Sequence, residues 1–155
     1  MPYQDIEESR MYQRAEQIGD TIWNAVMQWK PFAQNSLGEQ LTTAADSIGA
    51  NIAESSGRFT PPDAIRFLYY SRGSIWETRF WLKRAIKRNL ISQEFFDAQF
   101  AELKTISAEL NSYIGYQRTR IAKESSADFD TNEPTNQPSN KPKKVTYATR
   151  KRQRH

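Results

Sequence analysis

Apolar residues recur along the first 120 positions at alternating steps of three and four, the spacing of a helix with one buried stripe. Met11, Ala15, Ile18, Ile22, Ala25 or Val26, and Trp29 mark a first helix over about 6–30, which Pro31 should end by disfavouring helical geometry in the residue before it. Leu37, Leu41, Ala45, Ile48 and Ile52 mark a second over 37–57, with Ser36-Leu37-Gly38-Glu39 as a capping box and Gly57 at its close. Thr60-Pro61-Pro62-Asp63 opens a third over 62–89, whose stripe is Leu68, Ile75, Leu82 and Ile86. Ser92 caps a fourth over 92–122 carrying Phe96, Phe100, Leu103, Ser107, Leu110 and Ile114. No stretch reads as a strand. Short connections between helices of this length favour antiparallel neighbours, so the expected fold is all-α, an antiparallel up-down-up-down four-helix bundle.

The pattern stops near residue 124, and so does the neutral charge balance. Residues 1–124 hold fifteen basic and fifteen acidic side chains, whereas 125–155 hold seven basic and three acidic, which accounts for the whole net charge of +4. The expected organisation is a bundle over 1–124 and a disordered basic tail over 125–155, too poor in apolar residues to offset the entropy of ordering. Lys141, Lys143, Lys144, Arg150, Lys151, Arg152 and Arg154 suit counterion-releasing contact with phosphates. A solubilising tail, or one that seeks another anionic surface, is the alternative.

Cysteine is absent and the single histidine is His155. A thiolate nucleophile, a disulfide and a Cys/His metal site are thereby excluded, and no catalytic residue, metal or cofactor is expected. Glu54 and Glu77 are the one carboxylate pair an enzymatic reading would have to use. The N-terminus is charged and no run of eighteen apolar residues occurs, so neither a signal peptide nor a spanning helix is expected, and a cytoplasmic location is the default.

Ala45, Gly49, Ala53 and Gly57 form a ridge of small residues at steps of four on the second helix. Such a ridge admits a close neighbour, either inside the chain or in a second subunit. Asn51, Glu54 and Arg58 share another face, as a hydrogen-bonded group or simply a solvated surface.

The third helix carries seven basic residues against Asp63 and Glu77. Lys83, Arg84, Lys87 and Arg88 gather at its C-terminal end, where the helix dipole favours cations, but that effect does not reach Arg72 and Arg79. Those two lie within about 40° of the core stripe by helical geometry and with Lys83 make a basic strip. The strip either lines a channel of an assembly or pairs with carboxylates such as Glu54 of a neighbour, and Arg72, Arg79, Lys83, Arg84, Lys87 and Arg88 are the candidate nucleic-acid contacts of the bundle. The aromatic residues Phe67, Tyr69, Tyr70, Trp76, Phe80 and Trp81 point in too many directions for one core, which implies a second buried surface. Tyr69, Tyr70, Trp76, Phe80 and Trp81 are the candidate subunit interface; base stacking by Tyr70 or Trp81 is the alternative.

The segment "QLTTAADSIGANIAESSGR" followed by "FLYYSRGSIWE" resembles the small four-helix-bundle proteins encoded within intervening sequences of bacterial 23S ribosomal RNA genes. The matching positions are Gln40, Leu41, Ala44, Ala45, Ser47, Ile48, Asn51, Ile52, Ala53, Glu54, Gly57 and Arg58, then Gly73, Ser74 and Glu77. Thr42 and Thr43 stand where the family often has a basic pair, and Ser55 where it usually has glycine. "RFWLKRAI", residues 79–86, is more similar to a sister group, the accessory variability determinant of diversity-generating retroelements. The resemblance implies a homopentameric barrel, binding to RNA or DNA and to a reverse transcriptase, and no catalysis by this chain. A non-catalytic, homo-oligomeric nucleic-acid-binding accessory protein is the expected function. A structural scaffold of the intervening-sequence type without a nucleic-acid role is its competitor.

Overall fold

The structure, a computed structural model, describes residues 6–130, the side chains of 127–130 excepted. The described residues are helix and turn, with no strand among them. A 3-10 turn over Ile6–Glu8 leads into α1 (Arg10–Val26), whose N-cap Ser9 accepts a hydrogen bond from the Tyr12 amide at 3.2 Å. The first helix is thus shorter than 6–30 at both ends. Met11, Ala15, Ile18, Ile22 and Val26 are buried, and Trp29 packs on the core from the turn beyond.

The second helix begins earlier than its sequence suggests. Pro31 sits at the first position of a short α2 (Pro31–Ala33), which continues through a π-helical turn over Gln34–Gly38 into α3 (Glu39–Ser56). Ser36 therefore lies inside helical structure and caps nothing: its hydroxyl donates to the Phe32 carbonyl at 2.6 Å, the back-bonding usual for a serine in mid-helix. Gly38 explains the wide turn in part, because a Cβ there would stand 2.6 Å from Val26 Cγ1.

α4 (Pro61–Lys87) starts as its sequence demands, with Thr60 accepting from the Asp63 amide and the prolines in the first turn. It ends with Asn89 at φ 57° and the Leu90 amide bonded to the Ala85 carbonyl at 3.0 Å, a left-handed stop suited to asparagine. Ser92 caps α5 (Gln93–Asp130) through the Phe95 amide. This helix runs past the fade of its apolar stripe at Ile121 and takes in residues 125–130, which the sequence assigns to the tail. Its buried residues are Leu103, Ile106, Leu110 and Ile114; Ile106 takes the inward position expected of Ser107.

α3 packs against α1 and α4, and α5 packs against α4 and α1, so the four long helices form a bundle around one core. Fully burying each Ile or Leu of that core contributes about 1.5–3 kcal/mol. The small-residue ridge of α3 divides in two. Ala45 and Gly49 are buried, and a Cβ on Gly49 would lie 3.6 Å from the Ala15 Cβ, so the close neighbour is α1. Ala53 and Gly57 face outward. On the other side of α3, Ser71 of α4 donates to the Ile48 carbonyl at 2.8 Å, and buried Ser74 and Thr78 satisfy their hydroxyls within α4.

Candidate nucleic-acid and subunit interface

α4 is an apolar stripe flanked by cations and rings, and the bundle covers only the stripe. Leu68, Ile75 and Leu82 are fully buried, Ile86 is half-buried, and Tyr69, Tyr70, Trp76 and Phe80 stay exposed. Trp76 is 61% and Phe80 53% exposed, so nothing among the described residues covers them. Trp81 differs from the rest of the candidate set: it lies half-buried against the core and donates its indole N–H to Glu77 at 3.4 Å.

The basic strip lies over this aromatic surface. The Arg72 guanidinium sits 5.1 Å from the Tyr69 ring centre. Arg79 is held between Trp76 at 4.4 Å and Phe100 of α5 at 4.6 Å, and the Lys83 ammonium is 5.6 Å from Phe100. Phe100, which periodicity places in the core stripe, is thus also the floor under two cations. Arg72, Arg79, Lys83, Arg84, Lys87 and Arg88 form no ion pair among the described residues. Among the described residues Glu54 is not their partner, and it pairs with Arg58 instead. The tail residues Lys141, Lys143, Lys144, Arg150, Lys151, Arg152 and Arg154 lie outside the described residues.

The Arg58 cluster at the end of α3 does structural work. Arg58 pairs with Glu54, approaches Asp63 at 3.7 Å and stacks 4.1 Å from the Phe67 ring, clamping the end of α3 to the start of α4. Asn51 is not part of the group: its side-chain amide donates to the Ser47 carbonyl at 2.8 Å. Gly73 has open space around it, with nothing within 4 Å of where a Cβ would stand.

Some of the arrangement has no local signal in the chain. Arg14 of α1 bonds Glu102 at 2.7 Å and reaches Glu109 at 3.3 Å on α5, and the Glu102 hydrogen bond chiefly holds its pKa above the ordinary arginine value. Asp46 lies against α1 at Gly19, and burial, followed by the charge of Asp20, raises its pKa above the ordinary 3.8. Trp23, Met27, Phe32 and Phe59 are further exposed apolar side chains that periodicity does not single out. Among the described residues no cluster of acidic, His or Cys side chains is placed to hold a metal, and no helix is long and apolar enough to cross a membrane.

The family model for 23S rRNA-intervening sequence proteins matches residues 7–112, from the turn before α1 to the middle of α5. The chain belongs to that family. The intervening-sequence match takes in the small-residue ridge, Arg58 and the whole aromatic and basic face of α4. A solved structure from Bacteroides thetaiotaomicron VPI-5482, described as a protein with unknown function from the S23 ribosomal protein family, superposes with a TM-score of 0.60 at 24% identity. The alignment covers 67% of this chain and 97% of that one, so the fold is shared across nearly all of the Bacteroides protein. No curated protein matches the chain.

Proposed function

We propose that this intervening-sequence family member is a non-catalytic, homo-oligomeric accessory protein that binds nucleic acid. The carrying observation is the set of cations Lys83, Arg84, Lys87 and Arg88 at one end of α4, none of them in an ion pair among the described residues. Four basic side chains without carboxylate partners suit phosphate contact driven by counterion release. The seven tail cations would add to it in every copy, so that assembly makes the binding multivalent.

The homo-oligomer is supported by the exposed Tyr69, Tyr70, Trp76 and Phe80, aromatic residues interleaved with arginine as at the centre of protein interfaces. The up-down-up-down course of the bundle belongs to the same reading. Its support is the order of contacts between α1 and α3, where Ala15 meets Gly49, Gly19 meets Asp46 and Val26 meets Gly38. Five copies rest on both resemblances, and a reverse transcriptase of a diversity-generating retroelement as partner rests on that of residues 79–86. A reverse-transcriptase gene adjoining this one would support that partner.

The test is binding of a labelled structured RNA and a matched duplex DNA over a salt series. The full chain is compared with K83A/R84A/K87A/R88A and with a chain whose seven tail cations are neutralised. Salt-steep binding that weakens with the α4 variant places the contact on the bundle. Binding lost only with the tail variant leaves α4 without a nucleic-acid role. No binding by the full chain at low salt favours the scaffold.

A further inference from the structure

α1 and α4 each pack against both α3 and α5, so the α1–α3 surface lies across the bundle from the α4–α5 surface. The two carry opposite charge. A groove between α1 and α3 is lined by Glu16, Asp20, Asp46, Gly49 and Ala50, and its three carboxylates form no ion pair among the described residues. Asp46 is pressed on the α1 backbone, where a Cβ on Gly19 would stand 2.7 Å from its Oδ1. Partial loss of solvation against α1, and then the charge of Asp20, raise its pKa.

The α4–α5 surface offers the cations. Arg72 and Arg79 lie over rings, with no carboxylate partner among the described residues and Trp76 between them in sequence. Gly73 adds a separate observation. Glycine inside a helix costs about 1 kcal/mol relative to alanine, yet a Cβ at Gly73 would meet nothing within 4 Å, so nothing inside the protomer requires glycine there. The bare backbone there leaves room for a close approach from outside, as it also does at Gly115 of α5.

We propose that α4 of one copy docks across the α1–α3 groove of a second copy, with Arg72 and Arg79 meeting Glu16, Asp20 and Asp46, and Gly73 admitting the close approach. The proposal rests on the homo-oligomeric part of the function above and names its surfaces. Two α4 faces cannot pair with each other about a two-fold axis without setting like charges together. Unlike faces meeting head to tail generate a ring when the rotation closes. In that assembly Arg72 and Arg79 are consumed by carboxylates, and phosphate contact is left to Lys83, Arg84, Lys87 and Arg88.

Sedimentation of the full chain at matched concentrations tests this. The wild type is expected to associate. R72E/R79E and D20R/D46R are each expected to weaken association by roughly tenfold or more. The four changes in one chain are expected to restore it, because the faces again carry opposite charge. R72Q/R79Q gives the same reading should R72E/R79E lose its helical far-UV signal. Association untouched by either pair overturns the proposal while the oligomeric reading stands. Loss in both pairs without restoration, in chains that keep their helical signal, also overturns it. A full chain that loses association when its seven tail cations are neutralised, but keeps it with R72Q/R79Q, assigns the acidic groove to the tail instead. A wild type that sediments as a single copy overturns both readings.

Discussion

Ser71 of α4 donates its hydroxyl across to the Ile48 carbonyl of α3 at 2.8 Å, in a fully buried contact. Tying a side chain to the backbone of the next helix fixes the register of the two, which an apolar contact would leave free to slide. Ser71→Ala should destabilise the bundle by about 0.5–1.5 kcal/mol, the usual net value of one such bond. Urea unfolding at matched pH checks it.

Gly73→Ala should act in the opposite direction on the isolated protomer. With open space around the position, the added methyl brings only helix propensity, about 0.5–1 kcal/mol of stability. Thermal unfolding at low concentration would show a higher midpoint, and sedimentation at high concentration a weaker assembly.

Gly38 and Gly49 give a matched contrast. A Cβ at Gly38 would meet Val26 Cγ1 at 2.6 Å and the Ala33 carbonyl oxygen at 3.1 Å, so Gly38→Ala should cost about 1–3 kcal/mol by forcing the π-helical turn from α1. At Gly49 the nearest atom is the Ala15 Cβ at 3.6 Å, an ordinary contact. Gly49→Ala should therefore be neutral or slightly stabilising in the same unfolding assay.

Asp46 fixes the sign of a pH effect. Its pKa is raised in the folded protomer, first by burial and then by Asp20, so the fold prefers it protonated. Stability from this group is present in full below the ordinary aspartate value of 3.8 and is lost as pH rises through the higher folded value. Asp46→Asn should thus stabilise the dispersed protomer at pH 7 and make no difference in acid. Paired urea titrations at pH 7 and pH 3 measure the two ends.

How far the chain announces these features depends on how local each is. The stripes of Met11, Ala15, Ile18 and Ile22 and of Leu41, Ala45, Ile48 and Ile52 are set by one helix's own repeat, and the core follows them. Thr60 and Ser92 cap as their neighbours in sequence require. Ser36 misleads because a capping box is a local pattern, whereas the course of this segment depends on Gly38 seating against Val26. The excess of rings on α4 is visible as one more face than a core can bury. The place of Phe100 beneath Arg79 and Lys83 is not, since it depends on how α5 lies on α4. The same holds for Asp46 on Gly19 and for Arg14, whose partner Glu102 is 88 positions away.

That last separation bears on the order in which the bundle forms. The contacts of α1 with α3, α3 with α4 and α4 with α5 join successive long helices, while α1 with α5 joins the two ends of the bundle. Loop-closure entropy weighs most on this contact, so the Arg14 clasp on Glu102 and Glu109 is expected to form late in folding. Arg14→Gln should then speed unfolding and leave the refolding rate nearly unchanged, a difference that stopped-flow chevrons resolve. On that expectation the α1–α5 seam bears on how long the native bundle lasts more than on how fast it forms.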